Sequence, residues 1–146
     1  MVMIYIYNRR IETHNKNDFY IGRGSVLGNP YSHIKDRKTK AIYEAKDRDD
    51  AIDKYSYYFD LMYGSNKAFT QAIDEIYEVY KRGDDVFLGC FCKKYQSNEY
   101  HNDEIRCHGD IIKRKLEQRL IKEKIMEKLN KNENIIQEQQ MERNLG

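Results

Sequence analysis

The sequence predicts a small α/β domain: a Rossmann-like parallel sheet flanked by helices and followed by a C-terminal helical arm. Three observations predict this class. Short runs rich in β-branched and aromatic residues alternate with segments of helical periodicity, a glycine-rich loop follows the second such run, and one almost wholly apolar run lies between predicted helices. We expect residues 1–120 to form a single domain and residues 121–146 to form a helical extension and polar tail.

The amino-terminal part supplies two predicted strands and a loop. Residues 1–7 form a short apolar run that ends at a polar stretch, and residues 18–21 form a second, shorter run. The second run leads into Gly-Arg-Gly-Ser-Val-Leu-Gly-Asn-Pro at residues 22–30, which contains the only proline of the chain. This segment predicts a tight loop, whereas the polar and basic residues 31–46 predict an irregular excursion.

Two helices and a buried strand are predicted next. Residues 47–63 carry apolar side chains at helical spacing with aspartates in the first turn, and residues 65–82 carry a second apolar stripe. Ser65 is the predicted N-cap of the second helix, and Gly83 is its predicted left-handed stop. The apolar body of residues 84–92 predicts the central strand of a parallel sheet.

The last third of the chain predicts one more helix, which begins near Gly109. Its apolar seam drifts, so the helix either ends near Leu120 or continues as an amphipathic arm. Beyond Leu129 the sequence is rich in asparagine, glutamine and glutamate, which predicts a frayed or disordered tail.

Composition excludes several classes of protein. The 26 basic and 24 acidic side chains give a net charge of +2, which argues against a histone-like nucleic-acid coat but allows one small anion site. No run approaches the roughly 20 apolar residues that cross a bilayer, and no signal peptide is visible, so we expect a cytoplasmic protein without a membrane partner. Three cysteines are too few for a disulfide scaffold and indicate buried, metal-bound or reactive thiols. We attribute the 13 tyrosines to coding bias.

The strongest constellation of reactive residues joins the predicted central strand to the third helix. It consists of Cys90, Cys92, Cys107, His108, Gly109 and Asp110. In one interpretation, the three cysteines and His108 form a structural Cys3His zinc site, although Cys-x-Cys is closer than the usual spacing. In another, Cys107 or Cys92 is a nucleophile activated by the helix terminus and His108. In the interpretation that we favour, His108, Gly109 and the first helix amides bind an anion, and Asp110 accepts hydrogen bonds from a ligand.

The second constellation is the loop that contains Gly22, Arg23 and Gly24. Glycine lets the backbone approach a ligand closely, and Arg23 offers a bidentate grip on phosphate or carboxylate. The loop lacks the third glycine of a dinucleotide fingerprint and the lysine of a P-loop, which argues against both cofactor classes. Asn29 either fixes the turn before proline or reads a polar edge of a ligand. We expect Tyr31, His33, Arg37 and Lys38 to be solvated, and we assign no role to His14 and His101.

In order and spacing, these motifs resemble the domain-of-unknown-function family four-three-two-six of bacteria and phages. The resemblance rests on Ile-Gly-Arg-Gly at residues 21–24, Gly-Asn-Pro at 28–30, Leu-Gly-Cys-x-Cys at 88–92 and Cys-His-Gly-Asp at 107–110. The chain departs from the family pattern at Leu27, where an aromatic residue is common, and at residues 93–106, where a short proline-containing link is common. The resemblance implies a bacterial or phage setting and allows nucleotide salvage, DNA-base modification or interference with host defence.

The leading functional hypothesis is a site for a nucleotide, nucleoside or related phosphorylated molecule between the loops at residues 21–30 and 107–110. Arg23 and the helix amides would hold the anion, Asn29 would read a polar edge, and His108 would orient the ligand or act as acid or base. N-glycosidic cleavage or transfer, with Asp110 as the carboxylate, is the expected reaction if the protein is an enzyme. The alternative is a non-catalytic, zinc-stabilised interaction module whose arm binds a protein partner or, with weaker support, nucleic acid.

Overall fold

The computed structural model describes residues 3–32, 43–92 and 107–145 of the chain. Its elements in chain order are β1 (Ile4–Asn8), β2 (Asp18–Tyr20), β3 (Tyr31–Ser32), β4 (Tyr43–Glu44), α1 (Arg48–Met62), α2 (Lys67–Lys81), β5 (Val86–Cys90) and α3 (His108–Leu145). The predicted α/β class is therefore confirmed. The chain divides into two compact units, Met1–Lys113 and Arg114–Gly146, so that the first turns of α3 belong to the first unit.

The main sheet has three parallel strands in the order β1-β5-β2. Strand β5 lies in the centre, as its apolar sequence predicts, and pairs Ile4 with Val86 on one side and Asp18 with Phe87 on the other. Adjacent parallel strands must be joined by a long crossover connection. In the connection from β2 to β5, this crossover contains α1 and α2. All three strands end at the same edge of the sheet, which places the residues that follow them side by side.

The two faces of the sheet differ in chemistry. One face carries the fully buried Val86 and Leu88 of β5, and α2 contacts this strand with a stripe of buried aliphatic and aromatic side chains. The other face carries aromatic rings: Tyr5 stacks on Phe87 with ring centroids 5.2 Å apart, and His14 stacks on Phe87 at 3.7 Å. The alternation of side chains along each strand separates the two sets.

Helix caps explain where α1 and α2 begin and end. The Asp47 carboxylate accepts a hydrogen bond from the Asp50 amide, which satisfies a free donor of the first turn. The prediction of Ser65 as the N-cap of α2 is wrong, because Asn66 accepts the Phe69 amide at 3.0 Å, while the Ser65 hydroxyl donates to a carbonyl at the end of α1. Gly83 has φ of +100° and follows α2, as predicted.

Helix α3 runs without a break from His108 to Leu145. The predicted frayed tail beyond Leu129 is therefore wrong, and the alternative of a continuing arm is confirmed. The physical reason is that residues 110–145 contain neither glycine nor proline and are rich in lysine, glutamate, glutamine and arginine, which lose little side-chain freedom in a helix.

The excursion at residues 31–46 is more regular than its sequence suggests. Strands β3 and β4 pair in parallel, with Tyr31 opposite Tyr43. Residues 33–42, with the predicted solvated side chains His33, Arg37 and Lys38, lie outside the described residues, as do residues 93–106 with His101. Over the described ranges, no helix combines the length and apolar character needed to cross a membrane.

Candidate metal centre

Three thiols meet where β5 ends and α3 begins. Cys90 is the last residue of β5, Cys92 follows two positions later, and Cys107 directly precedes α3. Their sulfur atoms all lie within 4.8 Å of one another, and the Cys90 and Cys107 sulfurs are 3.3 Å apart. Sulfur ligands of one tetrahedral zinc ion, each about 2.3 Å from the metal, are separated by roughly 3.8 Å. The three cysteines can therefore bind a metal ion.

Backbone amides point at two of these sulfurs. The Cys92 amide donates to the Cys90 sulfur at 3.5 Å, and the Gly109 amide donates to the Cys107 sulfur at 3.4 Å. Both hydrogen bonds stabilise negative charge on sulfur, and the Cys107 sulfur also lies at the positive end of the α3 dipole. The local backbone thus favours thiolates, the form in which cysteine binds metals.

His108 adds a nitrogen to this cluster. Its Nε2 makes a short hydrogen bond to the Ile21 carbonyl, and since a carbonyl only accepts, Nε2 carries the proton. In the neutral ring Nδ1 then bears a lone pair, and it lies 3.7 Å from the Cys107 sulfur. The ring is buried and packs edge-on against Tyr55, with centroids 5.0 Å apart. His108 therefore presents the correct nitrogen to accept a thiol proton or to bind a metal.

The thiols perturb one another electrostatically. Hydrogen bonds from Cys107 and Cys90, followed by His108, lower the pKa of the Cys92 thiol. Hydrogen bonds with Cys90 and Cys92, together with burial, raise the pKa of the Cys107 thiol. Because the three sulfurs lie close together, a negative charge on one of them disfavours a second negative charge on its neighbours. Full deprotonation of all three sulfurs requires a cation among them.

Asp110 is bonded to the start of its own helix. Its Oδ2 accepts the Cys107 amide at 2.9 Å, and its own amide donates to the Cys107 carbonyl at 2.9 Å. The carboxylate thereby makes the acidic half of a capping box and satisfies a free backbone donor at the helix start. The candidate catalytic carboxylate therefore has a structural function in this conformation.

Gly109 lets the first turn of α3 approach the sheet. A Cβ at this position would lie 2.8 Å from Ile21 Cδ1 and 3.2 Å from Ile6 Cγ2, so a larger residue would push the helix away from β1. The buried Gly109 packs against the side chain of Ile21.

The loop at residues 22–30, which was predicted to bind an anion, is held by hydrogen bonds to its own backbone and to that of Tyr31. Arg23 Nη2 donates to the Tyr31 carbonyl at 2.9 Å, and Arg23 Nε donates to the Asn29 carbonyl at 3.5 Å. A Cβ at Gly28 would lie 2.7 Å from the Gly22 carbonyl oxygen, so the two ends of the loop touch through their backbones. Gly24 is exposed and has φ of +92°, a conformation that favours glycine.

Two buried polar side chains anchor this loop to α1. Asn29 Nδ2 donates to the Ala51 carbonyl at 3.1 Å, and its Oδ1 accepts the Tyr31 amide at 3.0 Å. The fully buried Tyr55 donates its hydroxyl to the Leu27 carbonyl at 2.7 Å. The helical periodicity of residues 47–63 includes Tyr55 as one of the apolar side chains and predicts no role for its hydroxyl. Such a role could have been inferred from the general need of a buried tyrosine hydroxyl for a hydrogen-bond partner.

A second polar cluster, on the aromatic face of the sheet, was also missed. The hydroxyl of Tyr7 donates to Asp18, which also pairs with Arg9 at 3.1 Å. His14, to which no role was assigned, lies with Nε2 2.6 Å from Glu12 and stacks on Phe87. These contacts hold the turn after β1 against the sheet.

The two predicted constellations meet at one hydrogen bond, from His108 to the Ile21 carbonyl next to Gly22. The structure gathers Cys90, Cys92 and Cys107 at this junction, and His108 Nδ1 lies beside the Cys107 sulfur. It bonds Arg23, Asn29 and Asp110 to the protein backbone.

Fold and site together define a class: a small α/β domain with a cluster of thiols where its last strand gives way to its last helix. The family model described as Domain of unknown function (DUF4326) matches residues 5–118, and the chain belongs to this family. The match spans β1, the glycine-rich loop, the thiol cluster and the start of α3, so the resemblance seen in the motifs is confirmed. No curated protein and no solved structure matches the chain.

Proposed function

We propose that the protein is a non-catalytic, zinc-stabilised interaction module. Cys90, Cys92, Cys107 and His108 hold one Zn²⁺ ion, which fastens the end of β5 to the start of α3. The observation that carries the proposal is the gathering of three sulfur atoms within 4.8 Å. Cys3His is a donor set of structural zinc sites, and four protein ligands leave no position open for a substrate.

The surroundings of His108 support zinc in particular. Histidine ligands of zinc usually donate their second ring N–H to a carbonyl or carboxylate, which fixes the ring and its tautomer. The bond from Nε2 to the Ile21 carbonyl has this form and leaves Nδ1 as the ligand atom. The same bond would connect the metal centre to the loop that begins at Gly22.

The charge of the centre is also accounted for. Three thiolates and a neutral histidine around Zn²⁺ carry a net charge of −1. The amides of Cys92 and Gly109 already donate to sulfur, and the positive end of the α3 dipole faces the same place. These backbone amides and the helix dipole would therefore stabilise the net negative charge of the buried centre.

A metal bound at this site would join the end of β5 to the start of α3, two segments that are separated in sequence. Residues 93–106 separate Cys92 from Cys107, and a metal that joins the two closes this segment as a loop. Closing a loop of this length in the unfolded chain costs about 3 kcal/mol of entropy, so a bound metal restricts the unfolded state as well as adding ligand bonds.

Metal content tests the proposal. Protein purified without added zinc or chelator is expected to contain one zinc per chain, and Co²⁺ exchanged into it should show thiolate charge-transfer and tetrahedral d–d bands. Cys92→Ser should lose most of the metal, and His108→Asn, which removes a proposed ligand, should weaken binding at least about tenfold. His14→Asn is the matched control, because His14 lies on the other face of the sheet beside Glu12. Failure of the apo protein to bind either metal at micromolar concentration would overturn the proposal.

Nucleotide binding is the second candidate. It is favoured by the His108–Ile21 bond, which puts the Arg23 loop beside the start of α3. It ranks second because a ligand would have to replace the bonds that Arg23 and Asn29 make to the backbone. Calorimetric titration of zinc-loaded protein with mononucleotides and nucleosides tests it, with Arg23→Ala expected to abolish binding and Arg48→Ala to preserve it. N-glycosidic cleavage that depends on Asp110 would establish the enzymatic form of this candidate.

A further inference from the structure

The second unit, Arg114–Gly146, carries a stripe of exposed aliphatic side chains. The stripe consists of Ile121, Ile125, Leu129, Ile135 and Ile136, each between 50% and 59% exposed. At about 100° per residue, these positions fall within roughly a third of the helix circumference. A contiguous exposed stripe of this kind is typical of a surface that interacts with a partner.

The stripe follows a heptad pattern with a polar residue at its centre. If Asn132 occupies position a, Ile125 occupies the preceding a position, and Ile121 and Ile135 occupy d positions. Leu129 falls at position e beside this seam. Gln118 and Gln139 occupy the outer a positions, so three of the eight a and d positions between residues 118 and 142 are aliphatic. An asparagine at an a position sets register and two-stranded pairing in parallel coiled coils, because its side chain hydrogen-bonds to the same asparagine of the partner helix.

Charged residues beside the seam complement a second copy of the same helix. In a parallel pair, position g of one helix faces position e of its partner, five residues further along. Glu117 and Glu138 occupy g positions, and Lys122 and Arg143 stand five residues after them. The facing pairs are therefore Glu with Lys and Glu with Arg, and the remaining g positions face Leu129 and Ile136 rather than a like charge.

We propose that α3 pairs in parallel and in register with α3 of a second copy of this chain, along residues 117–143. The occupant is a second copy because the charge pattern is complementary to itself at the g-to-e spacing, with Asn132 opposite Asn132. This inference goes beyond the proposed zinc module and does not depend on it.

The expected interface is small. Five half-exposed aliphatic side chains remove roughly 400 Å² from solvent on each helix, or about 800 Å² in total, which lies below the size of a stable specific interface. Lys128 and Glu142 occupy d positions, where each faces its own counterpart in the partner helix, and they weaken the seam further. The dimer is therefore concentration-dependent, with a dissociation constant of roughly 10–100 µM.

Sedimentation equilibrium of the 146-residue chain tests the proposal. The weight-average mass should rise from 17.6 kDa toward twice that value as concentration increases. Ile125→Asp should weaken dimerisation at least about tenfold, since both copies lose an apolar contact. Leu61→Asp is the matched control and should leave it unchanged, because Leu61 is an exposed aliphatic residue of α1 outside the seam. Circular dichroism and urea unfolding verify that both variants remain folded.

Charge exchange tests the parallel register. Glu138→Arg should weaken the dimer about fivefold, because each of two attractive pairs becomes repulsive, and adding Arg143→Glu should restore it. A mass of 17.6 kDa up to about 500 µM, equal effects of Ile125→Asp and Leu61→Asp, or no restoration by the double exchange would each overturn the proposal.

Discussion

Replacing Asn29 with alanine tests whether a motif residue holds the fold or serves a ligand. Asn29 is 7% exposed, donates to the Ala51 carbonyl at 3.1 Å and accepts the Tyr31 amide at 3.0 Å. Alanine removes both hydrogen bonds and leaves the Tyr31 amide without the Asn29 side-chain oxygen as its acceptor. Each bond contributes about 1 kcal/mol, and a buried polar group left without a partner costs about 1–3 kcal/mol, so we expect a loss of about 2–4 kcal/mol. That is a large part of the roughly 5–15 kcal/mol typical of a domain.

An aspartate at the same position separates the donor from the acceptor. Asn29→Asp keeps an oxygen for the Tyr31 amide but places a carboxylate oxygen against the Ala51 carbonyl. Two acceptors facing each other in a buried site should cost at least as much as alanine does at neutral pH.

Urea unfolding, followed by far-ultraviolet circular dichroism, measures these losses. The exposed Asn130 of α3 provides the control, and Asn130→Ala should change the free energy of unfolding by less than about 0.5 kcal/mol. If Asn29→Ala has as small an effect with an unchanged denaturant dependence, the anchoring role derived from its two bonds is refuted. If Asn29→Ala is as stable as the wild type but no longer binds a nucleotide that the wild type binds, the nucleotide hypothesis is favoured instead.

Three further changes probe the fold around the site. Burial, followed by the hydrogen bond and charge of Asp18, raises the pKa of Tyr7 from 10.0 to about 12. The neutral Tyr7 hydroxyl therefore stabilises the folded state below pH 10, and this contribution is lost as pH rises to 12. Wild type should lose about 2–3 kcal/mol more than Tyr7→Phe over that interval in guanidinium titrations, and equal losses would contradict the assignment. Gly28→Ala, whose Cβ meets a carbonyl oxygen at 2.7 Å, should cost roughly 2 kcal/mol and lower Tm by about 6 °C; an unchanged Tm would mean that the loop relaxes freely. Asn66→Ala should destabilise by about 1 kcal/mol through loss of the α2 cap, more than Ser65→Ala does, and the reverse order would restore the original cap prediction.

Local patterns in the sequence were sufficient to predict most of the secondary structure. The apolar run of β5 identified the central strand, and the stop at Gly83 followed from glycine chemistry. The N-cap of α2 was missed by one residue because Ser65 and Asn66 are both good caps, and only the end of α1 shows which one is already engaged. The arm beyond Leu129 was mispredicted because polar composition was given more weight than the absence of helix breakers.

For the candidate metal centre, the sequence could predict only the types of residue involved. Nothing local requires Cys92 and Cys107 to meet, since residues 93–106 intervene and their closeness depends on where α3 returns to the sheet. The tautomer of His108 depends on a carbonyl 87 positions away in sequence, which no motif records. Attributing the tyrosines to coding bias also overlooked the bonded hydroxyls of Tyr7 and Tyr55.

The charges at the start of α3 distinguish an anion site from a cation site. A helix start attracts anions when its free amides and dipole are available to them. Here the Gly109 amide faces the Cys107 sulfur and the Cys107 amide faces the Asp110 carboxylate, so groups of the protein already occupy those donors. An incoming phosphate would have to compete with the Asp110 carboxylate and the cysteine sulfurs, whereas a metal cation would be attracted by both. The charges at the start of α3 therefore support the proposed cation site over the anion site.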